Sequence, residues 1–270
     1  MLSSKKITFI GAGNMAGAII NGLVSSNIRS ISDISVSDKN DEHKDMYRRL
    51  GACVMNSNSE AAENDGILFI AVKPQIVDSV LHEIKNSIRA SCVVSIAAGV
   101  STEHIRNIIG DEIPIIRALP NTPMLILDGI TVLAENADVS GDIFETVKDI
   151  FMAAGDVVIL PESKINEAIP MSSSSPAFFF RMLDAMAKAG ENMGLSYEDS
   201  LKLSAAAMKG SANYLISSKK TPTELIRQVS SPGGTTVAAL SVFDEFKFED
   251  FILRAAKRCT ERAYELGRKE

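Results

Sequence analysis

The sequence predicts an α/β chain in which a doubly wound, mostly parallel sheet is followed by an all-helical domain. Three observations predict it. Short β-branched and apolar runs recur through the first 160 residues, with helical patterns between them. The first run opens into a glycine-rich turn that leads straight into a helical pattern. Beyond Pro161 strand patterns vanish and helical ones continue. The expected division is therefore residues 1–160 and residues 161–270.

Composition narrows the class. A chain of 270 residues, 46% hydrophobic and 23% charged, suits a soluble protein of two domains. The net charge of −6 argues against a nucleic-acid partner, which would need a basic face. Cys53, Cys92 and Cys259 form no CxxC pair, so buried free thiols in a reducing cytoplasm are expected. No apolar run is long enough to cross a bilayer, and the stretch Met1 to Lys6 lacks the apolar core of a signal peptide. The expected location is cytoplasmic, without a membrane partner.

In order, Ile7 to Ile10 reads as a buried parallel strand. Gly11-Ala12-Gly13-Asn14-Met15-Ala16 follows, a G-x-G-x-x-A turn opening a helix. Gly11 permits the tight turn, Gly13 lets a pyrophosphate approach the backbone, and Ala16 lets helix and strand pack closely. Ile34 to Ser37 is the next strand, ending at Asp38. Asp38 suits a free ribose 2′-OH and hence NAD; Lys39, between Ser37 and Asn40, suits a 2′-phosphate and hence NADP. Both alternatives stand, beside a plain solvated turn.

Ile67 to Val72 and Val93 to Val100 repeat the strand pattern. A Val72-Lys73-Pro74 turn at the end of the first would line the cleft where ligands gather in open α/β sheets, and the second carries small residues where a flat ring could lie close to the backbone. Ser101 and Thr102 offer an N-cap to a helix through His104. Ile113 to Leu119 leads into the rigid turn Pro120-Asn121-Thr122-Pro123. Gly129 to Leu133 and Asp156 to Leu160 read as strands flanking a helix near Gly141 to Ala153.

In the helical half, Ser175 is expected to cap a helix with Pro176 at its first position, stopping at Gly194. Ser196 with Asp199 resembles a capping box, and Thr221-Pro222-Thr223-Glu224 fits one better. A last amphipathic helix runs from about Glu249 to Gly267. Phe178-Phe179-Phe180, Met182, Leu183 and Met186 cover more than one helix face, which points to a subunit interface. Between these helices, Ser230-Ser231-Pro232-Gly233-Gly234-Thr235-Thr236 is a turn delivering the chain to a helix N-terminus, whose outward N–H groups suit a small carboxylate or phosphate.

The chemistry is bounded by absences. His43, His82 and His104 all lie in the first half without carboxylates at ligand spacing, so no metal is expected, and the helical half offers no histidine base. Hydride transfer to a protonated imine needs little acid–base help. The glycine turn would hold the substrate carboxylate while Thr236 offers its hydroxyl to the ring nitrogen.

Gly11 to Ala16, Ala71-Val72-Lys73-Pro74-Gln75, Ala97-Ala98-Gly99-Val100, Pro120-Asn121-Thr122-Pro123 and Ser230 to Thr236 occur in one order that resembles pyrroline-5-carboxylate reductases over essentially the whole chain. The resemblance implies a Rossmann domain followed by a helical dimerisation domain of the 6-phosphogluconate-dehydrogenase-like kind. It implies reduction of L-1-pyrroline-5-carboxylate to L-proline by NADPH, with NADH possible, in a homodimer joined through the helical domains, sometimes within a ring of dimers. By position it assigns the cofactor to Ile10, Gly11, Ala12, Gly13, Asn14, Met15, Ser37, Lys39, Asn58, Ala71, Val72, Lys73, Pro74, Ile96, Ala97 and Ala98. The substrate falls to Glu162, Gln228, Ser231, Gly233, Gly234, Thr235 and Thr236, with Thr236 catalytic.

One departure stands out. Where the family has Ser-Gly-Ser-Gly-Pro, this chain has Ser172-Ser173-Ser174-Ser175-Pro176. If those glycines require φ > 0, serine there costs about 1 kcal/mol or more each. Two rivals therefore remain: a reductase of another cyclic imino acid, or a non-catalytic nucleotide-binding relative with a regulatory role.

Overall fold

The computed structural model of the protein describes residues 6–267. The nucleotide half alternates β1 (Ile7–Ile10), α1 (Asn14–Ser25), β2 (Ile34–Ser37), α2 (Asp41–Leu50), β3 (Cys53–Val54) and α3 (Asn58–Ala62). It continues with β4 (Ile67–Ile70), α4 (Val77–Ile84), β5 (Cys92–Ser95), α5 (Thr102–Ile109) and β6 (Ile115–Pro120). Last come β7 (Gly129–Glu135), α6 (Gly141–Met152) and β8 (Gly155–Pro161). Among the described residues these strands form one sheet ordered β3-β2-β1-β4-β5-β6-β7-β8. All neighbours are parallel except β6 and β7, which a short turn through Thr122–Ile126 makes antiparallel. The chain leaves β1 toward β2 on one side and returns to β4 on the other, so the loop after β1 lies at a topological switch point.

Period-two alternation sorts side chains between the two faces. Ile7, Phe9, Ile34, Val36, Ile67 and Phe69 join one buried cluster with Ile19 and Leu23 of α1 and Phe151 of α6. Phe9 stacks on Phe69 at 4.6 Å and Phe69 meets Phe151 edge-on at 5.9 Å. Ile10, Leu68, Ile70 and Val93 turn the other way, onto Leu81 and Ile84 of α4 and Ile105 of α5. Both faces are covered, which is why these strands read as unbroken apolar runs.

The second half supplies α7 (Ile165–Ala168), α8 (Ser175–Asn192), α9 (Tyr197–Ser218), α10 (Pro222–Val229), α11 (Thr235–Glu245) and α12 (Phe248–Gly267). The chain divides into two compact units, residues 1–176 with 259–270, and residues 177–258. The first unit thus extends past the end of β8 and takes in the last part of α12, whose Ala263 joins Leu119, Val132, Ile165 and Ile169 in a third cluster. In the second unit, α10 and α11 bury no residue, and Phe180, Ile216 and Phe246 are 66%, 77% and 74% exposed. These apolar residues stand exposed among the described residues.

Several local expectations are corrected. β4 stops at Ile70 and β5 at Ser95, where the Ser95 hydroxyl accepts the Ala97 N–H at 3.3 Å and turns the chain out of the ladder. Ser101 caps α5 by itself, accepting from the His104 N–H, because Thr102 is already helical and bonds elsewhere. Ser175 does not act as an acceptor cap: it is the first residue of α8, with Pro176 second, and its hydroxyl donates to the carbonyls of Met171 and Ser172 at 3.0 and 3.2 Å. Asp199 accepts the Ser196 hydroxyl, a half-formed box, whereas the Thr221–Glu224 box is complete. Cys53 is exposed on the edge strand β3, so only Cys92 is a fully buried thiol.

Candidate active site

The nucleotide-facing residues gather at the C-terminal edge of the sheet. Backbone bonds continue each ladder one step beyond its strands: Gly11 N–H donates to Ser37 O at 2.8 Å, Ala71 N–H to Ile10 O at 2.8 Å, and Ile96 N–H to Ile70 O at 3.2 Å. Ser37, Ile10, Gly11, Ala71 and Ile96 are thereby fixed side by side. Gly11 sits at φ +94°, and a Cβ there would lie 2.5 Å from Ala71 O and 2.9 Å from Val72 Cγ1. Only glycine fits that approach. A Cβ on Gly13 would meet open space, so the turn is bare on its outer side.

Asn58 is buried and held by two bonds, accepting the Ser37 hydroxyl at 2.8 Å and donating to Glu83 at 3.0 Å. Lys73, the residue ahead of the short turn Pro74–Ile76, is exposed, as is Lys39. Ala97 is buried and Ala98 exposed, just before Gly99 at φ +79°.

Helix ends set the two candidate anion sites apart from four others. α2, α5, α9 and α10 are each closed by a side-chain cap, from Asn40, Ser101, Ser196 and Thr221, and each has an acidic residue in its first turn. α1 and α11 instead begin after a glycine, Gly13 and Gly234, with neither a side-chain cap nor an acid. Their first N–H groups take no side-chain cap, and no acid in the first turn opposes the partial positive charge of the helix end. Thr235 and Thr236 are the first two residues of α11. Gly233 takes φ +74°, and Gly234 N–H donates to Ser231 O at 2.9 Å, closing the turn. A Cβ on Gly234 would lie 2.6 Å from Ser231 Oγ. The Ser230 hydroxyl is buried there without a partner, and Tyr214 donates to Gln228 Oε1 at 3.3 Å, leaving the Gln228 amide N–H groups for another acceptor.

Glu162, in the first unit, accepts the Thr102 N–H at 2.8 Å with one carboxylate oxygen and the Thr102 hydroxyl with the other. It also lies 3.9 Å from Arg117, whose guanidinium donates to Asn166 at 2.8 Å. Burial lowers the Arg117 pKa, against the opposing effects of Glu162 and Tyr264. The serine run turns its hydroxyls onto its surroundings. Ser172 donates to Ala168 O, Ser173 to Pro120 O at 3.3 Å, and Ser174 accepts from Cys259. None of the four serines has a positive φ.

The bonding around Asp38 was not foreseen, nor was Tyr47. Asp38 accepts the Ala12 N–H at 2.7 Å, the Asn40 N–H at 2.7 Å, and faces His43 Nδ1 at 3.2 Å. Burial would raise its pKa, but the two N–H groups and His43 outweigh it and hold the carboxyl below its ordinary value. Tyr47 has a buried hydroxyl without a hydrogen-bond partner beside Gly17 of α1, its pKa pushed up to about 12 by burial and by the Asp38 charge. Partners twenty-six and sixty residues apart, such as Asp38–Ala12 and Glu162–Thr102, leave no trace in local spacing. Among the described residues no group of His, Cys, Asp and Glu could hold a metal, and no helix is long and apolar enough to cross a membrane.

Two stretches of the chain match known family models. Residues 162–266 match the family model for pyrroline-5-carboxylate reductase dimerisation, and residues 6–99 that for NADP oxidoreductase, coenzyme F420-dependent. A pyrroline-5-carboxylate reductase of Corynebacterium melassecola is 36% identical, covering 97% of this chain and 98% of its own. The structure of a pyrroline-5-carboxylate reductase from Coxiella burnetii superposes with a TM-score of 0.92 at 30% identity, covering 99% of this chain and 100% of that one. The Plasmodium falciparum pyrroline carboxylate reductase with NADP bound gives a TM-score of 0.89 at 27% identity, over 98% of this chain and 99% of that one.

Proposed function

We propose a specific reaction for this chain, which belongs to the pyrroline-5-carboxylate reductase family: transfer of a hydride from NADPH to the imine carbon of L-1-pyrroline-5-carboxylate, giving L-proline. The observation that carries it is the pair of uncapped, acid-free helix ends behind glycines, α1 for a pyrophosphate and α11 for a small carboxylate. The residues fit a dinucleotide: the turn is bare where Gly13 faces outward and closed only where Gly11 meets β4.

NADPH, when bound, supplies the hydride. Ile10 to Met15 would hold its pyrophosphate, Ser37, Lys39 and Asn58 would meet the adenosine end, and Ala71 to Pro74 with Ile96 to Ala98 would meet the nicotinamide end. NADH is the alternative donor. Ser231, Gly233, Gly234 and Thr235 hold the substrate carboxylate with N–H groups and hydroxyls. Gln228 donates through its amide. The Thr236 hydroxyl oxygen accepts the N–H of the protonated ring nitrogen and orients it. With no histidine in residues 161–270, acceleration comes from positioning rather than acid catalysis.

Residues 161–270 serve as the substrate and dimerisation domain, and the uncovered apolar faces of α8 to α12 meet those of a second copy. Rings of dimers and a cytoplasmic setting, where NADPH is supplied, complete the reading. The test is oxidation of NADPH and of NADH by purified protein with pyrroline-5-carboxylate. Turnover that falls in Thr236→Ala while NADPH affinity stays unchanged supports the assignment; folded protein that turns over with neither cofactor overturns it.

A further inference from the structure

We infer that Asp38 is a positioning residue for the phosphate loop and not the reader of the adenosine ribose, so that cofactor choice falls to Lys39 beside it. The inference rests on the nucleotide-site reading above. In dinucleotide folds, an acidic side chain at this point ordinarily accepts from the ribose 2′-OH and so disfavours a 2′-phosphate. Here the carboxylate is already engaged on both oxygens. Oδ2 accepts the Ala12 N–H at 2.7 Å and faces His43 Nδ1 at 3.2 Å, while Oδ1 accepts the Asn40 N–H at 2.7 Å. Three segments close on it: the loop after β1, the turn out of β2 and the first turn of α2.

These lengths are those of charge-assisted bonds, and the Asp38 side chain is only 16% exposed. Turning it toward a ribose would give up both backbone bonds and strand the part-buried Ala12 N–H. The Ala12 bond matters most for the ligand, because Ala12 lies between Gly11 and Gly13. Gly11 N–H is pinned to Ser37 O and Ala12 N–H to Asp38, so two successive peptides are fixed from the β2 side. That leaves the N–H groups from Gly13 onward facing the anion. Lys39 follows directly, exposed and without a carboxylate partner among the described residues. It is the charge free to meet a 2′-phosphate.

Two variants and two ligands test this, with dissociation constants for NADPH and NADH read from nicotinamide fluorescence. Asp38→Asn keeps the size of the side chain but gives up one acceptor and the charge. It should weaken NADPH and NADH by a similar factor, about tenfold each. A loss confined to NADH would mean that the carboxylate holds the ribose, and an unchanged affinity for both would mean that it positions nothing; either overturns the inference. Lys39→Ala, at an exposed site, remains informative even if Asp38→Asn does not fold. It should weaken NADPH about tenfold and leave NADH unchanged; tighter NADH binding would show Asp38 reaching the ribose once its neighbour is gone. A wild-type protein that binds neither cofactor would bring down the nucleotide-site reading itself, a result distinct from any selective loss.

Discussion

Gly11→Ala probes the closest approach in the nucleotide site. The new methyl would lie 2.5 Å from Ala71 O, 2.7 Å from Ala71 C and 2.9 Å from Val72 Cγ1, and the backbone would have to keep φ at +94°. The left-handed backbone costs about 1–2 kcal/mol for a residue with a Cβ. Relief of the clash is blocked on both sides, because Gly11 N–H is bonded to Ser37 O and Ala71 N–H to Ile10 O. Moving the loop away from β4 therefore sacrifices roughly one backbone bond, about 1 kcal/mol more. Together these give about 2–3 kcal/mol, which for a chain of this size lowers the melting temperature by roughly 5–10 °C. Because the displaced peptide leads into the Gly13 and Asn14 N–H groups, NADPH affinity should fall at least about tenfold as well. Thermal unfolding by circular dichroism and a fluorescence titration with NADPH measure the two effects. A variant with wild-type melting and wild-type affinity would refute the reasoning, since the methyl would then have found room that the loop does not possess.

Three further outcomes are expected. Tyr47→Phe removes a buried hydroxyl without a partner, so stability should hold or rise by up to about 1 kcal/mol; a clear loss in denaturant midpoint would show that the hydroxyl has an unseen acceptor. Ser173→Gly and Ser175→Gly, which restore the family pattern, should each cost roughly 0.5–1 kcal/mol because neither serine has a positive φ to relieve; a stabilised variant would contradict that backbone. Asp38 has a folded-state pKa below its ordinary value, so its contribution is present above the unfolded pKa and lost as pH falls through the folded one. Its share of stability and NADPH affinity should hold steady down to about pH 4 and decline below it, a decline that Asp38→Asn should lack in a pH series of melting curves and titrations.

Much of the nucleotide half was legible because its determinants are local. β1, the glycine turn and α1 lie in one unbroken stretch, and Gly11 has the conformation its place in the motif demands. Thr221 and Glu224, three residues apart, form the box that their spacing announces. What escaped depends on distant partners or on few residues. β3 is two residues long and carries no pattern. The strand reading of Val93 to Val100 overshot because apolar composition continues after Ser95, while the turn depends on one side-chain bond. Glu162 reads from sequence as a residue near the substrate, but its bonds to Thr102 become visible only when β8 ends beside the start of α5. The serine run looked strained by comparison with glycine, and its ordinary backbone appears only in three dimensions.

The return of residues 259–270 to the first compact unit bears on how the chain is made. A ribosome delivers the sheet, β1 to β8, well before Cys259 and Ala263 emerge, because residues 177–258 come between. At about 5–20 residues per second that interval lasts several seconds. During it Leu119, Val132 and Ile165 form a pocket whose last apolar occupant has not yet been synthesised. The first unit is thus translated nearly whole but closed only at the end, and a truncation before Ala263 would leave an open seam in the sheet-bearing half as well as a shortened helix.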